Sequence, residues 1–161
     1  MARQWSLEES VRVEGVDPAA LYGLVADLRN MGRWSPECRQ VLVARPPVRT
    51  GTRFVGLNKR GLFLWFTTGR VTTARPGEEF VFDVGVFGLP IARWGYRFEA
   101  DGTGTRITES WHDLRTGRGS KLTTLLGTVF AGTSPERRIA VNRHGMRTTL
   151  ARIAQAATRR A

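Results

Sequence analysis

The sequence predicts an α+β domain in which a curved antiparallel sheet of about seven strands wraps around one long C-terminal helix. An alternating strand-like run opens the chain, six further strand-like runs with short turns fill its middle, and a long amphipathic segment closes it. A sheet with one apolar face needs a cover, and only the last segment is long enough. The 161 residues fit a single domain over 1–161, with residues 157–161 predicted to fray.

The first elements are predicted from local patterns. Residues 4–14 alternate apolar and polar side chains, which is typical of a strand with one buried face. Asp17 and Pro18 are a good N-cap and a good first helical residue, so a short helix is expected over 18–27. Residues 30–36 indicate a second short helix or turn. Two short helices therefore follow the first strand.

The middle of the chain consists of strand-like runs joined by turn signals. Pro76-Gly77 and the stretch 101–104 are turns that commonly join antiparallel strands. Because the connections are short, consecutive strands are expected to pair as a meander. The predicted strands are 39–44, 52–58, 63–74, 79–87, 91–100 and 105–113.

Two helical segments end the chain. Residues 121–131 carry leucines at helical spacing and stop at Gly132. Thr133 and Glu136 have the spacing of a capping box, which predicts the start of the long helix. The apolar stripe of this helix comprises Ile139, Met146, Leu150 and Ile153, with Asn142 and Thr149 on or beside it.

Composition excludes several classes of protein. The chain is 41% hydrophobic and 24% charged, as expected for a globular protein in water. It has no run of about 18 apolar residues and its N-terminus lacks a signal-peptide pattern, so we expect no membrane insertion and a cytoplasmic location. The single cysteine, Cys38, cannot form an internal disulfide and fits a reducing compartment.

The formal net charge is +11, and 23 of the 25 basic residues are arginine. A polyanionic partner is one interpretation, and the codon usage of a GC-rich genome is the other; the even spread of arginine favours the second. The local exception is residues 137–161, with seven arginines and no acid. A solvated helix face and docking to an acidic carrier protein or an anionic membrane remain alternatives there. Nucleic acid is disfavoured, because no aromatic residues interleave with the basic ones.

Six segments of the chain resemble the SRPBCC superfamily, which includes START, Bet v 1-like and polyketide cyclase/dehydrase proteins. The sequence looks most like actinobacterial members of the polyketide cyclase/dehydrase or lipid-transport type. The resemblance implies a helix-grip fold with a deep cavity between the sheet and the C-terminal helix, and it implies no common catalytic set. The segments, within residues 5–155, are 16–27, 34–38, 51–61, 89–99, 104–111 and 142–150.

Strand parity identifies two candidate catalytic residues. Glu109 falls on the apolar side of its strand, between Ile107 and Trp111. Loss of hydration there would raise its pKa and suit general acid/base catalysis. The alternative is that Glu109 anchors a loop or helix by accepting hydrogen bonds from Asn142, an arginine or backbone N–H groups. Tyr96 lies on the aromatic face of its own strand, where its hydroxyl would contact a substrate oxygen or be satisfied locally.

The same parity predicts a wall that is mostly aromatic with a few polar groups, which is typical of a small-molecule pocket. For Trp34, a ligand platform and structural packing are alternatives. For Asn58 and Asn142, ligand orientation and capping of backbone groups are alternatives. The predicted ligand-binding residues are Trp34, Phe54, Asn58, Trp65, Thr67, Phe82, Trp94, Phe98, Trp111, Asn142 and Met146.

The predicted function is binding of a hydrophobic, partly oxygenated small molecule, lipid or polyketide-like, with its cyclisation or dehydration as a further hypothesis. A non-catalytic lipid carrier and a basic adaptor for nucleic acid or anionic membrane are the alternatives. No metal is expected, because His112 and His144 lack a metal-binding spacing. No cofactor is expected either, and the motifs of common hydrolases, P-loop enzymes and Rossmann oxidoreductases do not occur.

Overall fold

The computed structural model describes residues 5–115, 121 and 135–160. The predicted helix after Lys121 and the capping residue Thr133 lie outside these ranges. The described elements, in chain order, are β1 (Ser6–Glu14), α1 (Pro18–Ala26), a 3-10 turn (Leu28–Asn30), α2 (Met31–Trp34), β2 (Cys38–Val43), β3 (Arg53–Arg60), β4 (Phe63–Arg75), β5 (Glu79–Val86), β6 (Leu89–Asp101), β7 (Gly104–Asp113) and α3 (Pro135–Thr158).

The seven strands form one antiparallel sheet in the order β1-β7-β6-β5-β4-β3-β2. Strands β2 to β7 are consecutive neighbours, as the short turns predict, while β1 pairs with β7. The helices α1 and α2 therefore carry the chain from one edge of the sheet to the other. Helix α3 packs along β1 and against α1 and α2. The predicted α+β helix-grip architecture is confirmed.

Helix α1 begins as its capping residues predict. The Asp17 carboxylate accepts a hydrogen bond from the backbone N–H of Ala20 at 2.8 Å, and Pro18 occupies the first helical position. The helix then buries Leu21 and Val25 against the sheet and α3. At the other end of the chain, α3 runs through Thr158 and buries Ala157, so two residues of the tail predicted to fray are helical.

The turn between β5 and β6 differs most from the prediction. Strand β6 begins at Leu89, two residues before the predicted start, and it includes Pro90. Pro90 lies opposite Gly85 at a register shift, where a residue without an N–H is tolerated in a sheet. Gly85 makes this possible, because a Cβ there would lie 2.5 Å from the carbonyl oxygen of Leu89. Strand β5 stops at Val86, since Phe87 adopts φ 50° in the turn.

The inward faces of the strands carry the core. Phe80 and Phe82 on β5 are buried, whereas Asp83, the residue after Phe82, forms an ion pair with Arg93 at 2.7 Å on the outer face. Among the described helices, none combines the length and hydropathy needed to cross a bilayer.

The glycine at position 69 generates a prediction about stability. Phe54 lies directly opposite Gly69 across β3 and β4, and an alanine Cβ at position 69 would lie 2.1 Å from the tip of the Phe54 ring. The ring would have to leave its contact with Phe82. We expect Gly69→Ala to lower the free energy of unfolding by about 2 kcal/mol in urea titrations.

Gly23→Ala is the matched control, because no atom lies within 4 Å of a Cβ at this position of α1. Alanine favours helix over glycine, so this variant should match or exceed the wild-type stability by about 0.5–1 kcal/mol. Equal effects of the two substitutions would contradict the described packing of Phe54.

Candidate functional site

A cavity of about 860 Å³ lies between the sheet and helix α3. Its wall comes from the inner faces of β3 to β7 on one side and from α3 on the other. This volume falls within the range of small-molecule sites, and the wall is predominantly apolar. The predicted ligand-binding residues that line it are Phe54, Asn58, Trp65, Thr67, Phe82, Trp94, Trp111, Asn142 and Met146.

Trp34 and Phe98, which the sequence also assigns to the ligand site, lie in the core away from the cavity. Phe98 is buried and packs edge-to-face on Tyr22 with ring centroids 5.7 Å apart. It lies two residues beyond Tyr96 on the same face of β6, where α1 covers the sheet. Trp34 ends α2, is buried, and carries the Arg33 guanidinium over its ring at 5.2 Å. Parity gives the face of a strand but not which part of that face a helix covers.

Glu109 and Tyr96, the two candidate catalytic residues, meet at the cavity wall. They are cross-strand partners on β7 and β6, and the Tyr96 hydroxyl donates a hydrogen bond to Oε1 of Glu109 at 2.8 Å. Both side chains are only 2% exposed. The second carboxyl oxygen, Oε2, is buried and has no hydrogen-bond partner in the part of the chain that the structure describes.

Burial governs the charge of this pair. It raises the pKa of Glu109 from 4.5 to about 8, although the hydrogen bond from Tyr96 acts in the opposite direction. Burial, and then the neighbouring carboxyl group, raise the pKa of the Tyr96 hydroxyl well above its ordinary value. At neutral pH the carboxyl group is therefore mostly protonated. Its proton belongs on Oε2, because Oε1 already accepts from Tyr96, so the pair can donate a hydrogen bond to a ligand.

The hydrogen-bonding alternatives for Glu109 and Asn58 are now distinguishable. The hydrogen-bond partner of Glu109 is a tyrosine on the neighbouring strand. Among the described residues, the predicted donors, Asn142, an arginine or backbone N–H groups, give it no hydrogen bond. The Asn58 amide donates to the Gly56 carbonyl at 3.3 Å and to the Thr67 hydroxyl at 3.5 Å, so it is satisfied locally.

Cys38, which strand parity does not assign to the wall, also lines the cavity. It is buried, it pairs with Asn58 across β2 and β3, and its thiol donates to the carbonyl of Gln40 at 3.8 Å. Burial raises the pKa of the thiol to about 11, so it is a neutral, apolar part of the wall. The register between β2 and β3 would have identified it, because Cys38 is paired with Asn58 and therefore lies on the same face of the sheet.

Four arginines of α3 bind carboxylate or carbonyl oxygens of other elements of the same chain. Arg143 and Arg147 bind the Glu9 carboxylate of β1 at 2.9 and 3.1 Å, and Arg138 binds Glu37 at the cavity mouth at 3.0 Å. Arg152 donates to the carbonyl of Trp34 at 3.3 Å. These contacts fasten the helix over the sheet. Docking of an acidic carrier protein to this face stays a prediction.

No group of three or more metal-ligating side chains occurs within the described ranges. Cys38 is buried, and the carboxyl group of Glu109 accepts a hydrogen bond from Tyr96, so neither is part of a cluster of metal ligands. The arrangement is suited to binding an apolar molecule and to giving or taking a proton at one point on it.

A family model described as "Polyketide cyclase / dehydrase and lipid transport" matches residues 4–158. The chain belongs to this family. The resemblance to the SRPBCC superfamily is therefore confirmed, and membership supports a fold that binds small hydrophobic ligands. A comparison with curated proteins found no match.

Solved structures of similar proteins agree with the family assignment. A Polyketide_cyc-like protein from Corynebacterium glutamicum is 27% identical, with a TM-score of 0.61 over 97% of this chain and 93% of the other. The Zhui aromatase/cyclase from Streptomyces sp. R1128 has a TM-score of 0.73 at 14% identity, over 98% of this chain and 96% of the other. Ara h 8.0201 has a TM-score of 0.69 at 10% identity, over 97% and 99%. The last two similarities show the fold alone.

The raised pKa of Glu109 predicts a pH dependence of stability. The folded state favours the protonated carboxyl group, so its contribution is present below pH 4.5 and is lost as pH rises through about 8. Between about pH 5 and about pH 9, the wild type should lose up to about 5 kcal/mol relative to Glu109→Gln, which cannot ionise. Urea denaturation of both proteins across this range measures the difference.

A parallel pH dependence in the two proteins would show that Glu109 is not a buried acid. Tyr96→Phe is the second variant, because it removes the one hydrogen bond that lowers the pKa of Glu109. It should move the loss of stability to higher pH.

Proposed function

We propose that this member of the polyketide cyclase/dehydrase family binds an apolar ligand that carries a carbonyl or hydroxyl oxygen, and that Glu109 donates a hydrogen bond to that oxygen. The observation that carries the proposal is the buried, neutral carboxyl group whose Oε2 has no partner among the described residues. A buried donor without a partner is costly, and a ligand oxygen at the cavity wall would remove that cost. The aromatic wall would hold the rest of the ligand.

The same group supports a catalytic role in dehydration. A β-hydroxy ketone would place its hydroxyl at Oε2 of Glu109. The carboxyl group would give its proton to the departing hydroxyl and then take a proton from the adjacent carbon. The C–O and C–H bonds break, a C=C bond forms, water leaves, and Glu109 returns to its neutral form.

Tyr96 would act as a positioning residue in this step. Its hydroxyl is fully used by Oε1 of Glu109 at 2.8 Å, so it fixes the orientation of the carboxyl group and leaves Oε2 for the ligand. Similarity of the fold to an aromatase/cyclase supports the catalytic version of the proposal, and the family description, which includes lipid transport, supports a carrier.

The donor role of Glu109 can be tested with two probes of nearly the same shape. 2-Acetylnaphthalene offers a carbonyl oxygen where 2-isopropenylnaphthalene offers a CH2 group. At about pH 6 the wild type should bind the ketone roughly fivefold to tenfold more tightly in fluorescence titrations, which is the usual contribution of one hydrogen bond. The preference should fall as pH rises through about 8, because ionisation removes the donor.

Glu109→Gln retains an N–H donor and should keep the preference at every pH, whereas Glu109→Leu should bind both probes equally. Equal binding of both probes by the wild type would overturn the donor role, and failure of both probes to bind would overturn the cavity as a ligand site. Native mass spectrometry of the purified protein, searching for a co-purified guest, then identifies a ligand with which the carrier and the enzyme can be distinguished. A carrier releases this ligand unchanged. An enzyme converts it, and Glu109→Gln should abolish the conversion.

A further inference from the structure

We propose that the rim of the cavity docks on an anionic membrane surface by inserting an apolar lip into the headgroup region. The lip is formed by two neighbouring turns, β3–β4 and β5–β6. The proposal concerns how the cavity is reached, and it does not depend on whether Glu109 performs catalysis. The lip consists of Leu62, Phe63, Leu64, Phe66 and Phe87.

The lip side chains are far more exposed than apolar groups of their size usually are. Leu62 is 97% exposed, and Leu64 and Phe87 are each 68% exposed. Leu62 stands at the end of a two-residue turn in which Gly61 adopts φ +58°. The outer-face ring of Phe66 packs edge-to-face on Phe87 at 5.6 Å, which joins the two turns. Contiguous exposed apolar groups of this kind mark an interaction site.

The segment that carries the β3–β4 turn is basic, and the Glu37 carboxylate at the cavity mouth lies 3.7 Å from Arg60. Residues 38–77, which include β2, β3 and β4, carry eight basic residues and no acidic one. On the outer face of the hairpin, Lys59 is paired with Leu64 next to the turn, and Arg53 is paired with Arg70 further back. Apolar side chains at a tip with cations behind them match an anionic bilayer, in which the acyl region lies beneath negatively charged headgroups.

The lip is continuous with the cavity. Phe87 is exposed and borders the cavity, and Trp65, which lies between Leu64 and Phe66 in the sequence, lines the inner wall, so the apolar tip adjoins the apolar wall at the cavity mouth. A ligand leaving a bilayer could enter along this surface without crossing water. A membrane also fits the shape better than a flat protein surface does, because Leu62 projects from the end of a hairpin.

Vesicle flotation tests the proposal with the full chain. Wild-type protein should float with phosphatidylcholine vesicles that contain about 30% phosphatidylserine, and weakly with phosphatidylcholine alone. The double variant Leu62→Ser/Leu64→Ser should bind roughly tenfold less, because two exposed apolar groups are removed. Raising the salt from about 0.15 M to about 0.5 M should weaken the wild type as well.

Two control variants separate the lip from the rest of the surface. Leu42→Ser removes a leucine that is 51% exposed on β2, outside the lip, and should leave binding unchanged. Lys59→Gln should weaken binding more than Arg70→Gln. Lys59 is paired with Leu64 next to the turn, whereas Arg70 lies eight residues beyond Leu62, about 26 Å along the strand at about 3.3 Å per residue, which exceeds the Debye length of about 8 Å.

Three outcomes would overturn the proposal. The first is no flotation with anionic vesicles. The second is flotation that the double variant leaves intact, which would assign binding to general surface charge. The third is a lip-dependent dimer in gel filtration, or lip-dependent binding of a purified acidic carrier protein, without vesicle binding. Wild-type circular dichroism and an unchanged urea-unfolding midpoint in the double variant would show that it remains folded.

Discussion

The placement of one carboxyl group in an apolar interior is the constraint on which the site depends. Glu109 is opposite Tyr96 on one side and opposite Glu9 on the other, in the same row across β6, β7 and β1. Glu9 binds two arginines of α3, whereas Glu109 receives one neutral hydrogen bond, from Tyr96, among the residues that the structure describes. Burial, with no cation bound to the carboxyl group within the described part of the chain, raises the pKa of Glu109 to about 8, and the neutral carboxyl group can donate a hydrogen bond.

The cavity stays open because α3 contacts the rest of the protein at the edges of the cavity and not across its centre. Ion pairs with Glu37 and Glu9 hold the helix at the mouth and along β1. Towards its C-terminal end, the buried Leu150 and Ile153 pack into the core cluster that includes Leu21 of α1. Polar contacts at the rim and apolar contacts at the closed end hold the helix above the sheet, which leaves the middle open.

Much of this arrangement is visible in the sequence because side-chain alternation is strict in a sheet. Parity places Glu109 and Tyr96 on the same inner surface, and most of the side chains that it assigns to the wall line the cavity, while their contact with a ligand stays a prediction. It could not separate Phe98, which α1 covers, from Trp94, which the cavity exposes, since that depends on where a helix crosses the strand. Likewise, the start of β6 at Leu89 depends on the close approach of Gly85, which becomes visible only when both strands are paired.

Carbon-13 NMR of protein labelled at the glutamate carboxyl carbons tests the protonation of Glu109 most directly, with Glu109→Gln assigning the resonance. A titration from about pH 4 to about pH 10 should give this carboxyl group a midpoint near 8. A midpoint between about 4 and about 5 would contradict the account, because an ionised Glu109 could neither donate to a ligand oxygen nor protonate a leaving group.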